Sequence, residues 1–272
     1  MLTLDHLTKS FQGVRAVDGV SLSFEPGQMV GVIGASGAGK STMLRLVNRL
    51  SDPTDGRIVC QGLEVSALRG RALMAWRARC AMIFQQFNLV GRLDVLTNVL
   101  LGRLNKHGFA TSMLGRFSDA ERTMALEALD HLGLAQTALQ RADTLSGGQQ
   151  QRVAIAKALL QEPEILLADE PIASLDPRNA QTVMEALRRI NREHGITVLC
   201  NLHTLDTARA YCDRIVGMRQ GRVVFDGPAA ALSDQQAREI YGVAFDEAFH
   251  EAMTSTSLAP AVERAPALAP AA

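Results

Sequence analysis

The stretch Met29–Thr42, "MVGVIGASGAGKST", decides the fold of this chain. Its first six residues are apolar or glycine, which is typical of a strand buried on both faces of a sheet. From Lys40 onward, "KSTMLRLVNRL" has the apolar spacing of a helix. The loop between them matches the phosphate-binding pattern G-x-x-x-x-G-K-[ST], which requires this strand-to-helix context. We therefore predict an α/β fold with a phosphate-binding loop in its first α/β unit.

The chemistry of this loop favours nucleotide binding over a chance match to the pattern. Glycines let backbone N–H groups point at phosphate oxygens, and the helix dipole adds partial positive charge there. We expect Lys40 to neutralise the β and γ phosphates of a nucleotide and Ser41 to ligate Mg²⁺. The predicted phosphate-contacting residues are Gly34, Ala35, Ser36, Gly37, Ala38, Gly39, Lys40, Ser41 and Thr42.

A second motif, "EILLADEP" at Glu164–Pro171, is an apolar strand that ends in two carboxylates. Ligands bind at the carboxyl ends of parallel strands, and buried charges need partners. Asp169 is predicted to contact Mg²⁺ or its water. Glu170 points to the opposite side and is predicted to take a proton from an attacking water. The alternative is a pair of solvated acids at the end of a strand.

The third motif, "LSGGQQQR" at Leu145–Arg152, predicts a second anion-binding helix start. Ser146 is a helix cap, and Gly147 and Gly148 let a phosphate approach the backbone. Because the motif follows helical segments and no sheet strand, we expect it to lie away from Lys40. We infer that it closes over a nucleotide held by another copy of the chain. The alternative is an ordinary helix cap that contains glycine.

Composition excludes several other classes of protein. Among the 272 residues, 28 Lys and Arg balance 28 Asp and Glu, so no global charge attracts nucleic acid or an anionic membrane. Cys60, Cys80, Cys200 and Cys212 are scattered, which argues against zinc and predicts buried thiols in a reducing cytoplasm. The N-terminal segment carries Asp5 and lacks a long apolar core, so we expect no secretory signal. No apolar run reaches the ~18 residues of a membrane span.

The remaining pattern predicts a parallel sheet covered by helices on both faces. Residues 2–4 and "VSLSFEPGQ", from Val20 to a turn at Pro26-Gly27, alternate as half-buried strands do. A helix is predicted over 177–195, with its end marked by Gly195. Further strand-like runs are "EILLADE", "GITVLCNL" and "RIVGMRQGRVVFDG".

Between about Ser66 and Leu160 the strand pattern almost disappears. A capped helix is predicted after Ser118, with Glu121 in its first turn. We predict a helical subdomain over about 66–160, inserted into one domain that spans 1–250. Its Arg-rich part "RGRALMAWRARC" is interpreted as either a solvated helix face or a surface near a membrane partner. The Ala- and Pro-rich residues 251–272 are predicted to be a disordered tail.

The order and spacing of these motifs resemble those of the ATP-binding subunits of ABC transporters, over roughly residues 1–242. The shared motifs are "GASGAGKST", "LSGGQQQR", "ILLADEP", "SLDP" and the histidine of "CNLHT". The resemblance implies the P-loop NTPase fold of ABC ATPases, with a parallel-sheet core, an antiparallel β subdomain and a helical subdomain that carries the signature motif.

The same resemblance implies roles for further residues. Phe11 resembles the aromatic residue that stacks on adenine, although it is alternatively a core aromatic. Gln85 resembles the glutamine that joins Mg²⁺ to the transporter contact, unless it is only a surface amide. Asp176 corresponds to the loop that communicates across the dimer, and His203 to the residue that senses the γ-phosphate. Ser146, Gly147, Gly148 and Gln149 then contact the ATP of the second copy.

A finer resemblance, in "NLVGRLDVLTNVL", "CNLHTLDTARAYCDRIVGM" and "REIYG", is to the phosphonate importer ATPases of bacteria. It implies a homodimer at the cytoplasmic face of the inner membrane, bound to integral-membrane permease subunits and served indirectly by a periplasmic solute-binding protein. Import of a polar amino acid or another small oxyanion is the alternative within transporters. A nucleic-acid-linked ATPase is a more distant one, disfavoured because no coiled-coil or zinc insertion separates the first and third motifs. A non-enzymatic ATP-regulated binding module is disfavoured by Glu170 and His203.

Overall fold

The computed structural model describes residues 1–107 and 117–242. The predicted tail at 251–272 and part of the predicted helical subdomain, 108–116, lie outside the described residues. Within these ranges two sheets pack with helices around two hydrophobic cores. The strands are β1 (Leu2–Phe11), β2 (Val14–Phe24), β3 (Met29–Ile33), β4 (Asp55–Cys60), β5 (Leu63–Glu64), β6 (Cys80–Ile83), β7 (Ile165–Asp169), β8 (Thr197–Asn201), β9 (Arg214–Arg219) and β10 (Arg222–Pro228).

The helices of the described part cover both faces of the larger sheet, and those between β6 and β7 also pack on one another as a helical cluster. They are α1 (Lys40–Val47), α2 (Gly70–Arg79), α3 (Val95–Leu100), α4 (Asp119–His131), α5 (Gly147–Leu159), α6 (Pro177–His194), α7 (Leu205–Tyr211) and α8 (Asp234–Tyr241). Short 3₁₀ turns connect several of them.

The larger sheet has the strand order β10-β9-β3-β8-β7-β6 and is parallel except for β10. Strands β3, β7 and β8 are buried at every position, as expected for a sheet covered on both faces. Strand β8 lies between β3, which leads into the phosphate loop, and β7, which ends at Asp169. The carboxyl ends of these three strands therefore meet at one edge, where the predicted site residues lie.

The smaller sheet is antiparallel, in the order β2-β1-β4-β5, and corresponds to the antiparallel β subdomain that the resemblance implies. Val20, Leu22 and Phe24 of β2 are buried on one face, as their alternation predicts. Their core also contains Val30 and Val32 of β3. The smaller sheet therefore packs on the same face of the larger sheet as α1.

The predicted boundary of the helical subdomain is wrong at its start. Strand β6 lies inside the predicted range of 66–160, but it pairs in parallel with β7 as the edge of the larger sheet. Helix α2 packs through Trp76 on the core that the two sheets share. The Nε1 of Trp76 donates to the carbonyl of Val47 at 2.9 Å. The helical part therefore begins after Ile83. Neither interpretation of the Arg-rich segment included this buried tryptophan.

Three other predictions from local sequence, on a helix cap, a helix end and the cysteines, are confirmed. Ser118 caps α4 in a capping box with Glu121. Helix α6 ends at Gly195, which has left-handed backbone angles (φ 64°). The four cysteines are buried and unpaired.

No helix in the described ranges combines the length and the apolar character needed to cross a bilayer.

Candidate functional site

The phosphate loop packs closely against the backbone of β2 at Gly39. Gly39, the residue before α1, has φ 101°, a backbone angle that residues with a side chain rarely adopt. A Cβ at this position would lie 2.1 Å from the carbonyl oxygen of Ala16, so a side chain cannot be accommodated. The loop also closes on itself, because the N–H of Ala38 donates to the carbonyl of Ala35 at 3.1 Å.

Lys40 lies over the loop at the start of α1. Its Nζ donates to the carbonyl oxygens of Gly34 (2.6 Å) and Ala35 (3.0 Å), and the residue is buried. Burial lowers the pKa of Lys40 below its ordinary value, while the carboxylates of Glu170 and Asp169 oppose that shift. The ammonium is thus placed where an anion in the loop would be its natural counter-ion.

Ser41 and Asp169 form the centre of the predicted metal site. Ser41 Oγ donates to Asp169 Oδ1 at 2.7 Å, which joins α1 to the end of β7. A hydroxyl and a carboxylate are hard oxygen ligands, and Mg²⁺ in nucleotide sites takes one or two such ligands, with phosphates and water completing its coordination. Within the described residues no group of three or more His, Cys, Asp or Glu side chains could hold a metal by itself. The donors present fit a cation that arrives with a phosphate.

Two further side chains contact Asp169 and were not identified from the sequence. Asn201, at the end of β8, donates from Nδ2 to Asp169 Oδ1 at 2.8 Å and to Ser41 Oγ at 3.2 Å. Arg45, one turn after Ser41, lies 3.8 Å from Asp169 Oδ2, but its side chain is 55% exposed, so solvent screens this contact. A polar residue at the carboxyl end of an apolar strand was the available signal for Asn201.

Glu170 and His203 are brought together by two different strand ends. Glu170 follows β7 with φ 54°, an unusual value for a residue with a side chain. His203 Nε2 lies 2.7 Å from Glu170 Oε1. Both residues line a cavity of about 220 Å³ together with Ser174, Asn201 and other residues of the same two loops. The pair therefore lies beside the residues of the predicted metal site.

The structure places Phe11 and Gln85 farther out. Phe11 ends β1 with 49% of its surface exposed, and Lys9 Nζ lies 5.0 Å from its ring centroid, so the alternative of a core aromatic is wrong. Gln85 is exposed in the loop after β6. It lines a cavity of about 580 Å³ with Ser174 and with Gln150 of α5.

The signature motif "LSGGQQQR" begins α5. Ser146 Oγ accepts from the N–H of Gln149 (3.4 Å), and Gln149 Oε1 accepts from the N–H of Ser146 (2.9 Å), so the two residues form a capping box. A Cβ on Gly147 would meet Leu175 and Phe87 at ordinary contact distances. A Cβ on Gly148 would lie 2.5 Å from Asn179.

The residues that contact the two glycines show where the start of α5 lies in its own chain. Leu175 and Asn179 flank Asp176, which caps α6 by accepting from the N–H of Asn179 at 3.1 Å. The hydrogen bonds from Asn179 hold the pKa of Asp176 below its usual range. The two glycines thus pack against the start of α6 and the Gln85 loop, and none of these neighbours belongs to the phosphate loop.

Comparison with known proteins shows the family to which this chain belongs. The model of a family described as ABC transporter matches residues 17–173, which is more than half of the chain. This chain belongs to the ABC transporter family. The resemblance drawn from the order of the motifs is therefore confirmed.

Two relatives and one solved structure illustrate this membership. The phosphonates import ATP-binding protein PhnC 1 of Rhodopseudomonas palustris is 62% identical over 247 residues, which cover 91% of this chain and 92% of that protein. The phosphonates import ATP-binding protein PhnC of Bradyrhizobium diazoefficiens is 58% identical over 272 residues, covering 100% and 99%. The dimeric post-hydrolysis structure of the ATP-binding cassette MJ0796, bound to ADP and Pi, has a TM-score of 0.74 and 34% identity, covering 85% of this chain and 100% of that chain. The predicted fold of ABC ATPases is therefore confirmed.

The two glycines of the signature motif are expected to respond differently to alanine. Gly148→Ala forces Asn179 to move, and we expect a loss of about 1–3 kcal/mol in the free energy of unfolding. Gly147→Ala, the matched control, makes only ordinary contacts and should change it by less than ~0.5 kcal/mol. Urea unfolding followed by circular dichroism measures both. Equal stability of the two variants would contradict the packing of Gly148 on Asn179.

Proposed function

We propose that this chain is the ATP-hydrolysing subunit of a bacterial ABC importer and that it works as a homodimer. The observation that carries the proposal is the division of the site. Lys40, Ser41, Asp169 and the Glu170–His203 pair lie together at one edge of the sheet. The second anion-binding helix start, at Ser146, packs elsewhere on the same chain.

ATP binding is assigned to the phosphate loop and its surroundings. N–H groups of the phosphate loop and of the start of α1 would hold the phosphates, and Lys40 would exchange its contacts with loop carbonyls for phosphate oxygens. Phe11 provides an exposed ring for stacking on adenine, at the tip of the β1–β2 hairpin.

The metal is assigned as Mg²⁺. When bound, it neutralises charge on the β and γ phosphates. Ser41 would be a direct ligand, Asp169 would contact the metal or its water, and Gln85 would join the site from its exposed loop. The hydroxyl and carboxylate chemistry of the first two supports this assignment.

Hydrolysis is assigned to the Glu170–His203 pair. Glu170 takes a proton from the attacking water, a role that typically contributes 10²- to 10⁴-fold in rate. His203 contacts Glu170 in the structure, and we assign it to holding the γ-phosphate. Lys40 and the loop N–H groups stabilise the charge on the transferring phosphoryl group.

The second half of each site is assigned to the partner copy. Ser146, Gly147, Gly148 and Gln149 would contact the γ-phosphate of ATP bound to the other chain, and Asp176 would lie at the same interface. Packing within the chain gives a reason for glycine at 148 but not at 147. Close approach of a phosphate would explain a glycine at 147. Gly147 is the first residue of α5, and the free N–H groups at a helix start bind anions. Contacts made only in the closed dimer give ATP the differential affinity that closes it.

Membrane partners are assigned from the Gln85 cavity and from the relatives. The cavity of about 580 Å³ joins the Gln85 loop to Gln150 of α5, so movement of the signature helix changes its shape. We propose that it receives a segment of an integral-membrane permease, at the cytoplasmic face of the inner membrane. A periplasmic solute-binding protein then acts on this chain only through the permease.

The transported solute is proposed to be a phosphonate. The support is similarity alone, since relatives 58–62% identical carry the name phosphonates import ATP-binding protein. Deletion of the gene is expected to abolish growth on a phosphonate as the sole phosphorus source while growth on phosphate continues. Reintroduction of the wild-type gene should restore growth, and a Lys40→Ala gene should not. Unimpaired growth of the deletion strain on the phosphonate would favour an amino acid or another oxyanion.

The catalytic assignment is tested by Glu170→Gln. This variant keeps the shape of the side chain but cannot accept a proton, so steady-state ATP hydrolysis is expected to fall at least ~10²-fold while ATP still binds. In ATP and Mg²⁺ it should accumulate as a dimer on size-exclusion chromatography. Glu185→Gln, which removes an exposed carboxylate on α6, is the matched control.

Adding Gly147→Ala to Glu170→Gln tests the shared site in the same assay. A methyl group at the start of α5 is expected to prevent the ATP-dependent dimer without unfolding the chain. Unchanged hydrolysis by Glu170→Gln would remove Glu170 from the mechanism. A dimer that persists with the added Gly147→Ala would remove Gly147 from the ATP contact.

A further inference from the structure

Asn201 occupies a position in the sheet that the proposed function does not use. It is the last residue of β8, the strand between the phosphate-loop strand β3 and the Asp169 strand β7. In register it pairs with Val32 on one side and with Asp169 on the other. The residue is fully buried, with 0% of its surface exposed. A buried polar amide thus lies between an apolar residue of β3 and the carboxylate at the end of β7.

The amide nitrogen of Asn201 joins the two predicted metal ligands. Nδ2 donates to Asp169 Oδ1 at 2.8 Å and to Ser41 Oγ at 3.2 Å, while Ser41 Oγ donates to the same carboxylate oxygen. An ionised carboxylate only accepts hydrogen bonds, so the nitrogen of the amide must face it. This chemistry therefore fixes which of the two terminal amide atoms is the nitrogen and which is the oxygen.

The carbonyl oxygen of Asn201 has no partner. Four buried side-chain atoms in the described residues lack a hydrogen bond, and the other three, in Arg77, Arg103 and Gln151, are nitrogen donors. Asn201 Oδ1 is the one acceptor among them. A buried unpaired acceptor is costly, and such atoms in native proteins call for an explanation, of which an absent water or ion is one.

The neutral charge of Asn201 suits a cation site. Arg45 also approaches Asp169, but its positive charge opposes binding of a cation to that carboxylate. An amide orients the same carboxylate and leaves its negative charge available. Mg²⁺ keeps several of its waters when it binds, and the hydrogens of those waters need acceptors. An unpaired oxygen beside two metal ligands provides one.

We propose that Asn201 is a positioning residue of the Mg²⁺ site. Its nitrogen holds Asp169 and Ser41 in place, and its carbonyl oxygen accepts a hydrogen bond from water on the bound cation. This inference rests on the proposed function, because it requires a metal–nucleotide complex at the phosphate loop. Groups that orient metal ligands in this way typically contribute 10- to 100-fold to metal affinity.

The test uses Mn²⁺, which is visible by electron paramagnetic resonance, with the non-hydrolysable analogue AMPPNP. Asn201→Leu keeps a similar volume but removes both polar atoms. We expect Mn²⁺ affinity in the presence of AMPPNP to fall at least ~10-fold. AMPPNP affinity in EDTA, measured by isothermal titration calorimetry, should stay within about twofold, because no phosphate contact is assigned to Asn201.

Two further variants separate positioning from a purely structural role. Asn191→Leu removes another buried amide, which donates to Gly27 and Ile196 at the opposite edge of the sheet, and it should leave Mn²⁺ affinity unchanged. Asn201→Ser retains a small polar group that does not span the distance to Asp169. It should lower Mn²⁺ affinity even if the leucine variant fails to fold.

The possible outcomes are distinct. Wild-type Mn²⁺ affinity in folded Asn201→Leu or Asn201→Ser would overturn the inference, as would an equal loss of AMPPNP affinity in EDTA. A loss of Mn²⁺ affinity in Asn191→Leu as large as that in the Asn201 variants would also overturn it. If the wild-type chain itself fails to bind Mn²⁺ with AMPPNP, the proposed function fails and this inference fails with it.

Discussion

The hydrogen bond from Ser41 to Asp169 is the interaction on which the site depends. It joins the first turn of α1 to the end of β7, across the strand β8 that lies between β3 and β7. Because the three strands are parallel and buried, their carboxyl ends meet at one edge. Ser41, Asp169 and Asn201 hydrogen-bond to one another at that edge, in an arrangement that also suits a phosphate and a hard cation.

The same constraint is the reason for proposing a second copy. At this edge the larger sheet brings together the phosphate loop, the Ser41–Asp169–Asn201 group and the Glu170–His203 pair. The signature helix α5 belongs to the helical cluster, and its first residues pack against the start of α6. The N–H group of Gly147 has no anion partner in the phosphate loop of its own chain. In the proposed dimer, the ATP held by the other chain would be that partner, and its binding would drive closure.

Local sequence predicted those parts of the structure that depend on neighbouring residues. The phosphate loop, the Ser118 and Ser146 caps and the end of α6 at Gly195 each follow from a few adjacent side chains. Strand β6 was missed because four apolar residues after an Arg-rich helix carry no period of their own. The Glu170–His203 contact and the Asn201 amide required the register of β7 and β8, which no single segment encodes. The order of the motifs, by contrast, was enough to predict the family.

The central claim is that each catalytic pocket is completed by a second chain. The most direct measurement is the ATP hydrolysis rate per chain as the protein is diluted, with oligomeric state followed by sedimentation velocity in the same buffer. The account predicts that activity per chain falls towards zero as the dimer is lost, because no monomer contains both Lys40 and a signature helix start at the same ATP. A constant rate per chain at concentrations where only monomer sediments would contradict it.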